Sequence, residues 1–242
     1  MVHNDLIGFG LFMGYFAVAG LPLILLKAYH HKMPFEVMRK LYHFLIVLSI
    51  FPLLKLFSTW YAAVLASLMF TLIVYPILAL VEHSALYKRI AVEREDGEFR
   101  KSFIIVQLSL VTLITVFWGL LGIDWQYVAV VAVMAWGFGD AAAALVGKAF
   151  GRYRISHPRI AGKKTVEGTL AMFVVAGLSI FLTLLIYAGR PWHVSLAVAA
   201  LVAPVCTVVE LFSPGGMDTI TVPLSAAFAI LPLMSFFSFW GG

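Results

Sequence analysis

The chain is poor in charge, and this scarcity is its most informative absence. Only 12% of its 242 residues are Asp, Glu, Lys or Arg, whereas 62% are hydrophobic, and the mean hydropathy is +0.99. A soluble domain of this length could not cover such a composition with a polar surface. Helices that pack against one another within a lipid bilayer are therefore the expected architecture.

Cysteine and the common metal and nucleotide motifs are also scarce. Cys206 is the single cysteine, which excludes an internal disulfide. The histidines outside position 43 lack the spacing of a zinc site, and the sequence contains no G-x-x-x-x-G-K-[ST] loop. No repeat or low-complexity tract divides the chain, so we interpret 1–242 as a single integral membrane domain.

Long apolar runs, by contrast, are abundant. Eight of them approach the ~20 residues that an α-helix needs to cross a bilayer, which predicts an all-α polytopic membrane protein. The first run has no basic leader or small-residue cleavage site, so we expect it to be retained as a span. The predicted spans are 6–26, 37–57, 59–81, 102–121, 125–147, 168–188, 193–212 and 220–240.

Lysine and arginine are concentrated in three alternate loops, which the positive-inside rule places in the cytoplasm. Both termini are then expected on the opposite side, and loop 213–219 on the cytoplasmic side. Because these cations lie between spans, anionic lipid or a phosphate ligand suits them better than nucleic acid. The three loop regions hold 15 of the 17 basic residues: Lys27, Lys32, Arg39, Lys40, Lys88, Arg89, Arg94, Arg100, Lys101, Lys148, Arg152, Arg154, Arg159, Lys163 and Lys164.

The stretch GFGDAAAALVGKAFGRYRI, residues 137–155, places a carboxylate within an apolar run. A charge in a span costs roughly 2.5–3.5 kcal/mol at its centre, so Asp140 needs a partner or a polar cavity. It shares a helical stripe with Gly or Ala at positions 137, 144, 147 and 151. The stripe indicates either a packing seam or a narrow cleft in which Asp140 meets a cation or ligand.

A second polar cluster, AGKKTVEGT, precedes the sixth span. Thr165 is the predicted N-cap of that span. Free N–H groups, the helix dipole and the ammonium groups of Lys163 and Lys164 would together attract a phosphate. Gly162 and Gly168 would allow its close approach.

The alternative for this cluster is ordinary loop charge, with Glu167 complementing the helix dipole.

Two further clusters lie near the same membrane plane. In RKLYH, the side chains of Arg39, Lys40 and His43 share a helix face, although basic residues flank many spans. In VELFSPGGMDTITVPL, Glu210 and Asp218 enclose a helix break. They are suited to a magnesium ion, which prefers one or two carboxylates plus phosphate oxygens. The alternative is that Asp218 only caps a helix end.

Four motifs in this order, RKLYHF, GDAAAALVGKAFG, GKKTVEGTLAMF and VE…GGMDTITVPL, resemble the polyprenol kinase family over residues 36–226. That family includes dolichol and phytol kinases and is related to the CDP-diacylglycerol synthases. The resemblance implies a multi-span protein that uses CTP and Mg²⁺ to phosphorylate a lipid alcohol of the polyprenol, phytol, farnesol or geranylgeraniol class. It also implies a site at the cytoplasmic face of a prokaryotic cell membrane. Thr219 stands where the family usually has Asn.

The resemblance implies roles for the polar clusters. His43 or a carboxylate would deprotonate the alcohol. A homodimer is a possible assembly of the protein. The candidate catalytic residues are Asp140, His43, Lys163 and Lys164, and the candidate metal ligands are Asp140, Glu210 and Asp218. The candidate nucleotide-binding residues are Arg39, Lys40, Lys148, Gly162, Lys163, Lys164, Thr165, Glu167 and Gly168.

Three alternative functions stay open. A CTP-dependent diacylglycerol kinase would differ in its acceptor. A CDP-diacylglycerol-type cytidylyltransferase would direct attack to the α-phosphate and release pyrophosphate. A transporter would place polar residues at mid-membrane and often shows inverted repeats.

Overall fold

A computed structural model describes residues 2–29, 33–82, 84, 87, 97–160 and 164–239, and no β-strand occurs in these ranges. The all-α prediction is confirmed. A π-helical turn follows Ile114 over Thr115–Leu120, and another follows Leu182 over Thr183–Tyr187. The helices are α1 (Val2–Tyr29), α2 (Phe35–Val47), α3 (Ile50–Lys55), α4 (Trp60–Val81), α5 (Glu98–Ile114), α6 (Gln126–Phe150), α7 (Val166–Leu182), α8 (Trp192–Phe212) and α9 (Asp218–Phe239).

Eight helical segments in the described ranges are long and apolar enough to cross a membrane. They correspond one to one with the eight predicted spans, which confirms an integral membrane architecture. The second span is divided by a turn at Leu48 and Ser49, between α2 and α3. Which side each loop faces stays a prediction. The segments are Asp5–Tyr29, Phe35–Lys55, Trp60–Val81, Glu98–Leu120, Ile123–Phe150, Val166–Tyr187, Trp192–Phe212 and Asp218–Ser238.

The chain divides into two compact units, Met1–Leu120 and Leu121–Gly242. In the first unit, α1 packs against α2, α3 and α4, and α4 packs against α5. Its core is aromatic: the Phe12 ring is fully buried and meets Phe16 and Phe70 edge to face, at centroid distances of 5.3 and 5.5 Å. The interpretation of the chain as one domain stays a prediction.

Helix α6 is the core of the second unit. Its residues from Tyr127 to Gly137 are all buried, because α7 and α9 both pack against it while α8 packs against α7 and α9. A span that is apolar all round suits such a position. The motif GDAAAALVGKAFG begins beyond Gly137, where α6 is only partly buried.

Small residues allow α6 and α7 to approach closely. A Cβ atom added at Gly168 would lie 2.8 Å from the Ala143 carbonyl oxygen and 3.3 Å from the Gly147 Cα. A Cβ added at Gly147 would lie 3.1 Å from the Thr165 Oγ1. The stripe therefore packs closely against α7 at Gly147, and whether Asp140 meets a cation or ligand in a cleft stays a prediction.

This contact predicts the effect of Gly168→Ala. The new methyl group would meet a backbone carbonyl that cannot rotate away, so we expect a loss of about 1–3 kcal/mol in unfolding free energy. Thermal unfolding in detergent micelles measures it. Gly14→Ala in α1 is the control, because nothing lies within 4 Å of its added Cβ. An unchanged melting temperature for Gly168→Ala would show that the helices are not held this close.

Candidate functional site

The loop between α6 and α7 is held in a defined conformation by its backbone. The Ile155 N–H donates to the Lys164 carbonyl at 3.0 Å, and the Val166 N–H donates to the Tyr153 carbonyl at 2.9 Å. Between them, Arg154 and Thr165 form an isolated antiparallel bridge. The two ends of the loop therefore fix the backbone from which Lys164 projects.

The start of α7 is closed by its own loop. Thr165 is the N-cap, as predicted, and its Oγ1 accepts a hydrogen bond from the Gly168 N–H at 3.2 Å. The Val166 N–H already donates to Tyr153. These two amides are not free to bind an anion, contrary to the expected phosphate site of free helix N–H groups. Gly168 has a packing role here, and phosphate binding at this cluster stays a prediction.

The Glu167 carboxylate supports the same loop. It accepts hydrogen bonds from the backbone N–H groups of Arg152 at 3.0 Å and Tyr153 at 3.3 Å. Arg152 and Tyr153 follow the C-terminal end of α6. Glu167, in the first turn of α7, therefore links the beginning of the loop to the helix that follows it. These hydrogen bonds account for the Glu167 carboxylate in a strongly basic segment, and no bound ligand is needed to explain it.

An ion pair joins this loop to the C-terminal end of α8. The Lys164 Nζ lies 2.9 Å from the Glu210 Oε1 and also donates to the Glu210 backbone carbonyl. The Lys164 side chain is 18% exposed and the Glu210 side chain 10%. The sequence assigned these residues separately, to phosphate and to metal, and did not predict that they pair.

The turn between α8 and α9 carries the fourth motif. Gly215 and Gly216 have φ angles of 46° and 85°, in the left-handed region that favours glycine. The Ser213 hydroxyl lies 2.6 Å from the Thr221 hydroxyl and donates to the Val209 carbonyl. This bridge was not predicted, because single Ser and Thr residues in apolar runs give little signal. Asp218 begins α9.

Several loop cations form no salt bridge in the part of the chain that the structure describes, although the positive charge of Arg152 attracts the Glu167 carboxylate. Arg152, Arg154 and Arg159 are exposed and take part in none of its ion pairs. They were predicted only as part of the loop charge. Gly162 and Lys163 lie outside the described residues.

The remaining candidates of the second unit lie on α6. Asp140 is half-buried, and Lys148 is exposed near the end of the helix. Both have interaction partners. Their assignment to metal and nucleotide binding stays a prediction.

Three candidates lie in the first unit, on α2. The Arg39 Nε donates to the Glu36 Oε2 at 2.9 Å. Lys40 is 1% exposed, and the His43 ring meets Phe44 edge to face at 6.0 Å. Their roles as headgroup or phosphate contacts and as general base stay predictions.

The candidate metal ligands are carboxylates, and the number of them that lie together limits which metal ion they could hold. No group of three or more His, Cys, Asp or Glu side chains in the described ranges is arranged to hold a metal. Magnesium, however, is commonly held by one or two carboxylates and completed by substrate phosphates. Glu210 lies in the last turn of α8 and Asp218 begins α9, and whether they hold such an ion stays a prediction.

Comparison with known proteins gives a partial likeness. No protein-family profile matches the chain. A 97-residue segment is 40% identical to a protein named phytol kinase from Synechocystis sp. (strain ATCC 27184 / PCC 6803 / Kazusa). The match covers 40% of each chain, so the matched segment spans well under half the length of that relative. The likeness supports a phytol kinase-like origin for the matched part.

The ion pair predicts a specific pattern of stability. Lys164→Met or Glu210→Gln alone should lower unfolding free energy by about 3 kcal/mol, because each leaves a poorly solvated partner unpaired. The double variant should lose less than the two single losses combined. Unfolding by heat in detergent gives the four values. Arg159→Met, in the same loop, should change stability by less than about 0.5 kcal/mol. Additive losses at Lys164 and Glu210 would contradict the pairing.

Proposed function

We propose that the protein is a CTP-dependent kinase that transfers the γ-phosphate to an isoprenoid alcohol of the membrane. The observation that carries the proposal is the 40% identity to a phytol kinase over 97 residues. The four motifs that resemble polyprenol kinases give it further support. We place the reaction at the cytoplasmic interface, where the positive-inside rule puts the basic loops.

Phosphoryl transfer needs positioning and charge neutralisation more than covalent chemistry from the protein. The loop between α6 and α7 supplies both in this proposal. Lys164 would contact the triphosphate from its fixed backbone position, and the exposed Arg152 and Arg154 would add charge around it. Lys163 and Lys148 keep their predicted roles as further phosphate contacts.

The Lys164–Glu210 pair gives the proposed site a definite resting state. A phosphate is a strong alternative partner for Lys164, and a divalent cation is one for Glu210. Each ligand charge would replace the protein charge that is lost when the pair opens, so opening need not strand an unpaired ion.

Glu210, Asp218 and Asp140 are the residues that would hold Mg²⁺. When bound, the ion would neutralise charge on the phosphate oxygens. His43 or one of these carboxylates would accept the proton of the alcohol, which makes its oxygen a better nucleophile. Arg39 and Lys40 would contact the phosphate or the lipid headgroup.

The test follows the phosphorus atoms. Purified protein is incubated with Mg²⁺, geranylgeraniol or phytol, and CTP labelled either at the γ-phosphate or in the base. We expect the γ-label in the lipid fraction and the cytidine label in water, with CDP as the second product. Cytidine in the lipid fraction with release of pyrophosphate would replace the proposal with a cytidylyltransferase. If diacylglycerol is the preferred acceptor, the proposed isoprenoid alcohol substrate is wrong and the protein is a diacylglycerol kinase.

Asp140→Asn tests the proposed metal-binding role of Asp140 in the same assay. It keeps the side-chain shape and removes the charge, so turnover should fall by about 100-fold or more if Asp140 contributes to metal binding. Its elution in size-exclusion chromatography should match that of the unaltered protein. Full activity of the Asp140→Asn variant would exclude a role in metal binding and leave Asp140 a packing role only.

A further inference from the structure

An open groove lies between α7 and α8, and Ile155 of the loop before α7 also lines it. Its volume is about 370 Å³, within the ~300–1,000 Å³ of ordinary ligand pockets. The α7 side contributes Val166, Leu170 and Phe173, and the α8 side contributes Pro204, Thr207 and Val208. The groove is therefore large enough for part of a ligand and open along its length.

Although two threonines line the groove, its walls are those of a hydrocarbon site. The Thr207 hydroxyl donates to the Ala203 carbonyl at 2.8 Å, and the Thr169 hydroxyl donates to the Thr165 carbonyl at 3.0 Å. Both hydroxyl protons are thereby used within their own helices. The remaining lining is aliphatic or aromatic, so the groove favours a chain without polar groups.

One end of the groove meets the polar cluster on both walls. Val166 is two residues from Lys164, and Thr207 of the groove lies three residues before Glu210, so the two are neighbours on the surface of α8. Ile155, whose N–H bonds the Lys164 carbonyl, closes the same end. A molecule that fills the groove and reaches this end must be apolar along its chain and polar at its head.

The length of the groove limits how much of a chain it can contact. Phe173 lies seven positions after Val166, which corresponds to roughly 11 Å of α-helix. A fully extended diterpenoid chain is longer than this. Only the part nearest the head group would lie in the groove, and the remainder would extend among the lipids.

We propose that this groove binds the isoprene units nearest the hydroxyl of the alcohol substrate, with the hydroxyl directed toward Lys164 and Glu210. The assignment rests on the proposed kinase function. It makes Leu170, Phe173 and Thr207 specificity-determining residues for the structure of the proximal chain. Total chain length beyond the groove has little influence on recognition.

Photocrosslinking tests the occupant without requiring turnover. The probe is a farnesol analogue with a diazirine on the second isoprene unit, added to purified protein in phosphatidylglycerol nanodiscs. Label should appear in peptides covering 166–173 and 204–208, and added geranylgeraniol should displace it. Label elsewhere would overturn the proposal. So would equal displacement by extra phosphatidylglycerol, which would indicate an ordinary lipid contact.

Matched variants separate the groove from the rest of α7. Leu170→Trp fills the groove, whereas Leu178→Trp places the same ring at an exposed position of α7 that does not line it. Leu170→Trp should lower crosslinking and raise the KM for geranylgeraniol by about tenfold or more. The KM for CTP should stay unchanged. Leu170→Gln tests the same contact by polarity if the tryptophan variant does not fold.

The outcomes distinguish the groove from the function. If labelling is as expected but no alcohol is phosphorylated, the kinase proposal fails and the prenyl site stands. If the protein is an active kinase and Leu170→Trp behaves like Leu178→Trp, the groove proposal fails and the function stands. Values of kcat/KM for farnesol and geranylgeraniol should agree within about tenfold, or 1.4 kcal/mol; a larger difference would contradict recognition limited to the proximal chain.

Discussion

The ion pair between Lys164 and Glu210 is the interaction on which the site in the second unit depends. It joins a loop to the end of a helix 46 residues further along the chain. Both side chains are poorly exposed, so the pair is expensive to desolvate and costly to break on one side only. A pair of this kind is weak evidence for stability alone, but it is well suited to a site whose ligands carry the complementary charges.

Close helix packing is what places the pair. Gly168 and Gly147 let α7 lie directly against α6. Its backbone bonds to itself between Tyr153 and Val166, and Glu167 fixes the first residues. Lys164 then projects toward α8 from a constrained backbone.

Local patterns in the sequence predicted the elements well. The eight spans follow from hydropathy because each must bury its apolar surface in lipid or against other helices. The N-cap at Thr165 follows from a hydroxyl residue just before an apolar run. Both depend on a few neighbouring residues, which the sequence displays directly.

The details of the site depend on contacts that the sequence does not display. The amides at the start of α7 were expected to be free, but the Tyr153 carbonyl and the Thr165 hydroxyl accept from two of them. The Lys164–Glu210 pair could not be predicted because it requires the packing of α7 against α8. The groove beside it is likewise formed by two helices whose separate sequences show only ordinary apolar spans.

The central claim is that a nucleotide binds at Lys164 and Glu210. A thermal-shift titration with CTP and Mg²⁺ tests it most directly. A ligand that binds only the folded protein stabilises it by about 2.7 kcal/mol at 100 times its dissociation constant. The unaltered protein should therefore melt at a higher temperature as CTP is added. The variant with both Lys164→Met and Glu210→Gln should show little or no shift. An equal shift in both proteins would contradict the account, because the nucleotide would then bind without the ion pair.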